Sequence, residues 1–338
     1  MLESSDDYKE DNSHTHLLLW WVADLKSMLL VTGGTDFIGR AVLKKLADYD
    51  YPVRLLLQPS QASPKLPPGV RVDVALASLN DARGVRASLV GVEKVIHLAG
   101  NHLENSSGDL GLADVQGTRI LSEAAADAGV KHILYLSLLG AERSSAFPLL
   151  RSRAYAEQAI HEFGVPATII RTGLLYGEDD QFTTSLAILL AMSVFFFPMP
   201  GDGSITTQPL WVDDLATCIT WALDDPDAVG QVYDIGGPEY LTFKQIVQMV
   251  IQETGTQRIL ISARPPYLRA GAWVMERMLR YSPVTTRWLD YFAVSRTTDL
   301  NNLPQAFGLS PTRMEEKLGY LRGQNWGWEL LQKQFQSN

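Results

Sequence analysis

Val31-Thr32-Gly33-Gly34-Thr35-Asp36-Phe37-Ile38-Gly39-Arg40 is the stretch that decides the fold. The apolar run Leu29-Leu30-Val31 leads into it, and an amphipathic pattern follows from residue 37 to 48, so the glycines stand between a strand and a helix. Glycine is needed there for a tight turn, for close approach of backbone to a pyrophosphate, and for contact between helix and strand. Gly33 and Gly39 fill the first and last of these positions, and the helix N-terminus turns its unpaired N–H groups toward an anion. The middle position is Asp36. Aspartate is a favoured N-cap whose carboxylate takes the N–H groups a phosphate would use. Placed about 4 Å from a phosphate at an effective dielectric near 20, it costs up to a few kcal/mol.

Outward from this loop, short apolar runs alternate with helical patterns. Val53–Leu57, Val70–Leu76, Val92–Leu98, Ile133–Leu136 and Ala167–Ile170 are too continuous for half-exposed strands and are expected to be buried and parallel. Helices are expected near 82–89, 112–128 and 151–163. This alternation implies right-handed crossovers and a doubly wound, Rossmann-type α/β fold with a smaller C-terminal lobe. The expected organisation is a tail at 1–27, a dinucleotide-binding core at 28–177, and a lobe at 178–338 interleaved with the last strands of the core. Beyond residue 178 come an apolar stretch at 183–197, the turn Pro200-Gly201-Asp202-Gly203, a helix from Asp213, a strand near 231–235 and a helix at 242–254. The apolar stretch has about 15 residues, short of the roughly 20 that span a bilayer as a helix.

The length of 338 residues fits one large domain with an appended lobe. A single cysteine, Cys218, allows no internal disulfide, and no Cys/His cluster has metal-ligand spacing, so a reducing compartment such as the cytoplasm is expected. The net charge of −9 argues against nucleic-acid binding through phosphate neutralisation. That charge is uneven: −4 over residues 1–27, −9 over 28–263 and +4 over 264–338. All eight tryptophans lie outside 28–210, and Arg264–Arg287 holds five Arg and one Glu among clustered aromatics. Such a mixture suits a headgroup interface or a partner groove, and equally a lobe closing its own core.

The loop resembles the TGGTGFIG of the short-chain dehydrogenase/reductase superfamily in its atypical NmrA-like branch. The resemblance continues through Val95-Ile96-His97-Leu98-Ala99-Gly100, Asp114-Val115-Gln116-Gly117-Thr118, Tyr135-Leu136-Ser137, Ile170-Arg171-Thr172-Gly173 and Val212-Asp213-Asp214-Leu215-Ala216. It implies a nicotinamide dinucleotide held by Gly33, Thr35, Asp36, Phe37, Ile38, Gly39, Arg40, Gln58, Leu98, Ala99, Gly100, Ser137, Arg153 and Thr172. NADPH is expected over NADH, because Arg40 is basic and Leu57-Gln58-Pro59 ends the second strand without the carboxylate that would hold ribose hydroxyls. Ala77-Ser78 replaces the Gly-Asp usual near the adenine.

Catalytic members use a Tyr as acid/base, a Lys four residues on that lowers its pKa, and a Ser that orients the carbonyl. Setting Glu157 on the family's K-x-x-x-E places Arg153 at the lysine, Leu149 at the tyrosine and Leu138 at the serine, so no residue of this set can transfer a proton. Tyr155, two residues off on a helix, points away. His97, His102, Ser137, Tyr176 and Asp202 remain candidates for other chemistry. The resemblance extends to two noncatalytic groups, the NADPH-binding accessory subunit of respiratory complex I and photosystem II assembly factors. It therefore implies an accessory or assembly role at a membrane complex, through residues 183–197 and 264–292, with peripheral contact to an anionic membrane. The competing expectations are an NADPH-dependent reductase or epimerase acting under a 183–197 lid, and a regulator that reads dinucleotide occupancy.

Overall fold

The computed structural model describes residues 27–59, 66–98 and 110–335, without the side chains of 110–113. The apolar tail segment Leu17–Val22 and Ala99, Gly100 and His102 lie outside the described residues. Strands β1 (Leu29–Thr32), β2 (Val53–Leu57), β3 (Asp73–Leu76), β4 (Lys94–His97), β5 (His132–Leu138) and β6 (Ala167–Thr172) form one parallel sheet. Three short pairs follow in the C-terminal part: β7 (Leu175–Tyr176) with β10 (Leu210–Trp211), β9 (Thr206–Thr207) with β12 (Leu241–Thr242), and β8 (Phe196–Pro200) with β13 (Ile259–Ala263). The remaining strand, β11 (Val232–Ile235), returns from that part to pair with β6, which gives the seven-stranded order β11-β6-β5-β4-β1-β2-β3. The order reverses between β1 and β4, and a crevice at such a switch point is where open α/β sheets bind ligands.

Helices cover both faces of the sheet. On one face Phe37–Asp48 and Val212–Asp224 bury Val42, Leu43, Leu46, Leu215 and Ile219 at helical spacing. On the other, Ala82–Ser88, Leu110–Asp127 and Pro148–Glu162 bury Val85, Leu121 and Ile160. A third core fills the C-terminal lobe, where Phe182, Leu186, Phe243, Val247, Trp288, Phe292 and Leu318 pack together. The helix Phe243–Thr254 in this lobe opens with a Thr242–Gln245 capping box and closes at Gly255 with φ +67°, so its length follows from its sequence signals.

Two expectations change. Val70–Leu76 was expected to be a buried strand, but only Asp73–Leu76 is extended and its side chains are largely exposed, because β3 is an edge strand paired to β2 alone. The apolar stretch 183–197 is not a surface lid. Its helical part, within Gln181–Met192, is almost wholly buried, and only Met192 and Val194–Phe196 emerge. An all-round apolar helix is an internal helix.

Candidate functional site

The glycine turn sits at the C-terminal end of β1. Gly33 has φ +71°, a conformation that glycine adopts without penalty. At Gly39 an added Cβ would stand 2.2 Å from the Gly33 carbonyl oxygen and 2.4 Å from the Gly34 Cα, so helix and turn touch backbone to backbone. Asp36 is the N-cap, yet its side chain makes no cap hydrogen bond to the helix Phe37–Asp48. The capping role expected of its carboxylate is not the one it performs. Arg40 donates from Nη1 to the Thr35 carbonyl at 3.2 Å and from Nη2 to Asp179 Oδ2 at 3.2 Å, which ties the loop to the C-terminal lobe at the surface.

A cleft of about 270 Å³ opens from this turn. Gly33, Thr35, Asp36, Phe37, Ile38 and Arg40 line one end, with Leu98 and Thr172 beside them. Leu138, Leu149 and Arg153 line the other, so the three positions of the missing catalytic set do converge in space. Of the remaining residues expected at the site, Gly39 lies behind the turn, Gln58 is exposed past the end of β2, and Ser137 is buried away from the cleft. The Ser137 hydroxyl donates to Glu157 Oε1 at 2.5 Å, and Glu157 also accepts from Arg171 Nε at 2.9 Å and Nη2 at 2.5 Å. Ser137 therefore belongs to a buried ion-pair network.

The other chemistry candidates are structural. His97 bonds Thr32 Oγ1 through Nδ1 (2.6 Å) and Thr118 Oγ1 through Nε2 (2.9 Å). Burial, with the nearby Arg153 charge, pulls its pKa down to about 3, so it is a neutral core residue. Tyr176 is buried under Trp211, and burial raises its pKa. Asp202 is an exposed turn residue that accepts from the Ser204 amide at 3.0 Å. Tyr155 is exposed on the far side of its helix.

Arg153 stands apart. It is only 2 % exposed, and Nη1 donates to the Tyr135 hydroxyl at 3.0 Å, while Nε and Nη2 are buried without any hydrogen-bond partner. The C-terminal lobe adds cleft residues that sequence reasoning missed: Asp179, Asp180, Phe182 and Tyr291. Asp180 N-caps the apolar helix, accepting from the Thr183 amide (2.6 Å) and Thr183 Oγ1, from the Gly177 amide (2.9 Å) and from the Tyr320 hydroxyl (3.2 Å). Burial outweighs those bonds and pushes its pKa up to about 6. An Asp directly before an apolar helical run is a readable N-cap signal, whereas nothing in the sequence marks Tyr291. Among the described residues no group of His, Cys, Asp and Glu is arranged to hold a metal.

A doubly wound sheet with a glycine turn at its switch point defines a dinucleotide-type α/β protein. The chain belongs to the NmrA-like family, which it matches over residues 25–259. It is 28% identical over 226 residues to the mitochondrial NADH dehydrogenase [ubiquinone] 1 alpha subcomplex subunit 9 of Arabidopsis thaliana, covering 65% of this chain and 56% of that protein. The chain thus spans little more than half the length of that relative. It is 26% identical over 231 residues to an NAD(P)H azoreductase of Xenophilus azovorans, covering 68% of this chain and 74% of the relative. In three dimensions it is similar to the Citrobacter triphenylmethane reductase complexed with NADP(H), with a TM-score of 0.71 at 19% identity, over 87% of this chain and 99% of that one. The family thus includes both a respiratory accessory subunit and NAD(P)H reductases.

Proposed function

We propose that this protein is a dinucleotide-holding scaffold that carries out no proton transfer and works as an accessory or assembly subunit of a membrane-bound respiratory or photosynthetic complex. The observation that carries this reading is the pair Leu138 and Leu149 in the cleft wall, at the positions where the reductases of this family are expected to carry Ser and Tyr. A leucine pair neither orients a carbonyl nor donates a proton. The glycine cradle, closed so tightly at Gly39 that no side chain fits, suits a dinucleotide. Gly33, Thr35, Phe37 and Ile38 would receive its pyrophosphate, Arg40 a 2′-phosphate, and Leu98 and Thr172 would flank its nicotinamide half. Such a group supplies a hydride when bound. The side chains around it here hold and orient, and Asp36 weakens the grip. The relative named as a respiratory complex subunit supports the accessory role.

The partner face is best sought at β8, β13 and the helix Pro265–Met278. Val194, Phe195, Phe196, Ile259, Tyr267, Trp273 and Met278 are exposed there, near Arg264, Arg277 and Arg280. The rest of 264–292 is internal, since Trp288, Tyr291 and Phe292 are core and Arg269 pairs with Asp290. Among the described residues no helix is long and apolar enough to cross a membrane, so the contact proposed is peripheral, on the cytoplasmic face. Each basic residue near an anionic surface is worth about 1 kcal/mol.

Two measurements test this. NADPH fluorescence titration should show binding with no oxidation of the cofactor by quinone or azo-dye acceptors, and turnover would favour the reductase reading instead. Flotation with anionic vesicles should carry the protein upward, and less so for Trp273→Ser with Arg277→Ser. A protein that stays in solution and co-purifies with no membrane complex would sink the accessory reading.

A further inference from the structure

The buried edge of Arg153 carries a second conclusion, which rests on the reading of the cleft as a ligand-holding site. The resemblance assigns Arg153 to the ribose or a phosphate of a dinucleotide. The geometry points to something else: we propose that the leucine-lined end of the cleft binds a small apolar carboxylate, with its two oxygens on Nε and Nη2 of Arg153.

The protein itself shows what this edge of a guanidinium binds. Arg171 presents Nε and Nη2 to Glu157, at 2.9 and 2.5 Å. Arg322 presents the same two atoms to Glu253, at 2.6 and 3.1 Å. In both, two parallel N–H groups meet the two oxygens of one carboxylate, the bidentate fit for which arginine is built. Arg153 has the same two donors buried and unmatched, and its third contact is to a neutral phenol. Burying a guanidinium with unpaired donors is costly unless an anion completes it. That the charge is felt inside the fold is visible at His97, where Arg153 adds to burial in favouring the neutral ring.

The surroundings select the rest of the ligand. Leu138, Leu149, Leu174 and Phe182 make this end of the cleft apolar, which suits a hydrocarbon body. The whole cleft, at about 270 Å³, lies just under the roughly 300–1,000 Å³ of drug-sized sites, so the body is small. Replacement of a proton donor by leucine and of a lysine point charge by an arginine fork thus converts a reaction site into a carboxylate clamp.

The test is isothermal titration of the full chain with octanoate and with octanol, which share a hydrocarbon tail. Octanoate should bind about tenfold to a hundredfold more tightly, the range for a charge-assisted hydrogen-bonded pair. Arg153→Met, close in length and free of buried charge, should erase that difference while leaving NADPH affinity within about twofold. Leu149→Phe should exclude both probes with Arg153 intact. Equal affinity for the two probes, or octanoate binding that survives Arg153→Met, overturns the proposal. So does a large loss of NADPH affinity in Arg153→Met with octanoate unaffected, because Arg153 then serves the dinucleotide. Failure of NADPH to bind wild-type protein, with octanoate still discriminated from octanol, would remove the dinucleotide reading and leave the clamp standing.

Discussion

The two ends of the cleft have diverged in opposite ways. At the glycine end the backbone is kept and the charge is changed: the turn at Gly33 and the contact at Gly39 have the shape of a dinucleotide cradle, while Asp36 sets a carboxylate in its wall. At the leucine end the charge is kept and the chemistry is gone: Arg153 preserves a cation, while Leu138 and Leu149 hold no exchangeable proton. Shape and proton transfer are therefore separable properties of one cleft. A protein can lose the second without disturbing the first, because shape is set by backbone packing and proton transfer by the ends of two side chains.

The strongest way to break the comparison is Gly39→Val. Its side chain would collide with the backbone of the turn, so NADPH binding should vanish and stability should fall by about 3 kcal/mol or more, measured by urea unfolding. Next is the triple variant Leu138→Ser, Leu149→Tyr, Arg153→Lys. If only side-chain ends are missing, it should oxidise NADPH with a quinone acceptor about a hundredfold faster than wild type. No gain would mean that the leucine end has also lost its shape. Asp36→Gly should tighten NADPH binding about tenfold, about 1.4 kcal/mol. An unchanged affinity would show that the carboxylate turns away from the phosphates.

The smallest effect sharpens the role of the lobe. Asp180 has its folded pKa raised to about 6 by burial, so between roughly pH 4 and 6 the native state binds more protons than the unfolded chain. The Asp180 contribution to stability therefore falls as pH rises through that window. His97, depressed to about 3 in the fold, works in the opposite sense: its contribution is present above the unfolded pKa near 6.5 and is lost as pH falls below it. The two slopes offset each other in the wild type. In Asp180→Asn the offset is removed, and the stability of the variant relative to wild type should rise by about 1 kcal/mol between pH 4.5 and 5.5. A difference that does not vary with pH would mean that Asp180 is ionised throughout.

Much of the core was legible because its signals are local. The helix after the glycine turn was expected at 37–48 and is found at Phe37–Asp48, and β2 was expected and found at Val53–Leu57. Leu138, Leu149 and Arg153 were read as one set from spacing alone, and the structure brings them together. The lobe was harder to read. Trp288 and Phe292 in its core and Trp273 on its surface stand in one continuous aromatic and basic stretch, and composition does not separate them. The exposure of Val74 and Leu76 was equally hidden, because an edge strand and a central strand carry the same apolar residues.

By itself the sequence determined the strand, turn and helix around Gly33 and Gly39, the alternation that makes a doubly wound sheet, and the absence of a proton donor at positions 138 and 149. These follow from periodicity, backbone freedom and side-chain chemistry, which act within a few residues. Only the tertiary structure decided that Ser137 is held by Glu157, that Asp180 and Tyr291 enter the cleft from the lobe, and that two donors of Arg153 are buried with nothing to bind. Those facts depend on which surfaces meet across long separations in the chain, where the same residue type is satisfied in one place and left wanting in another.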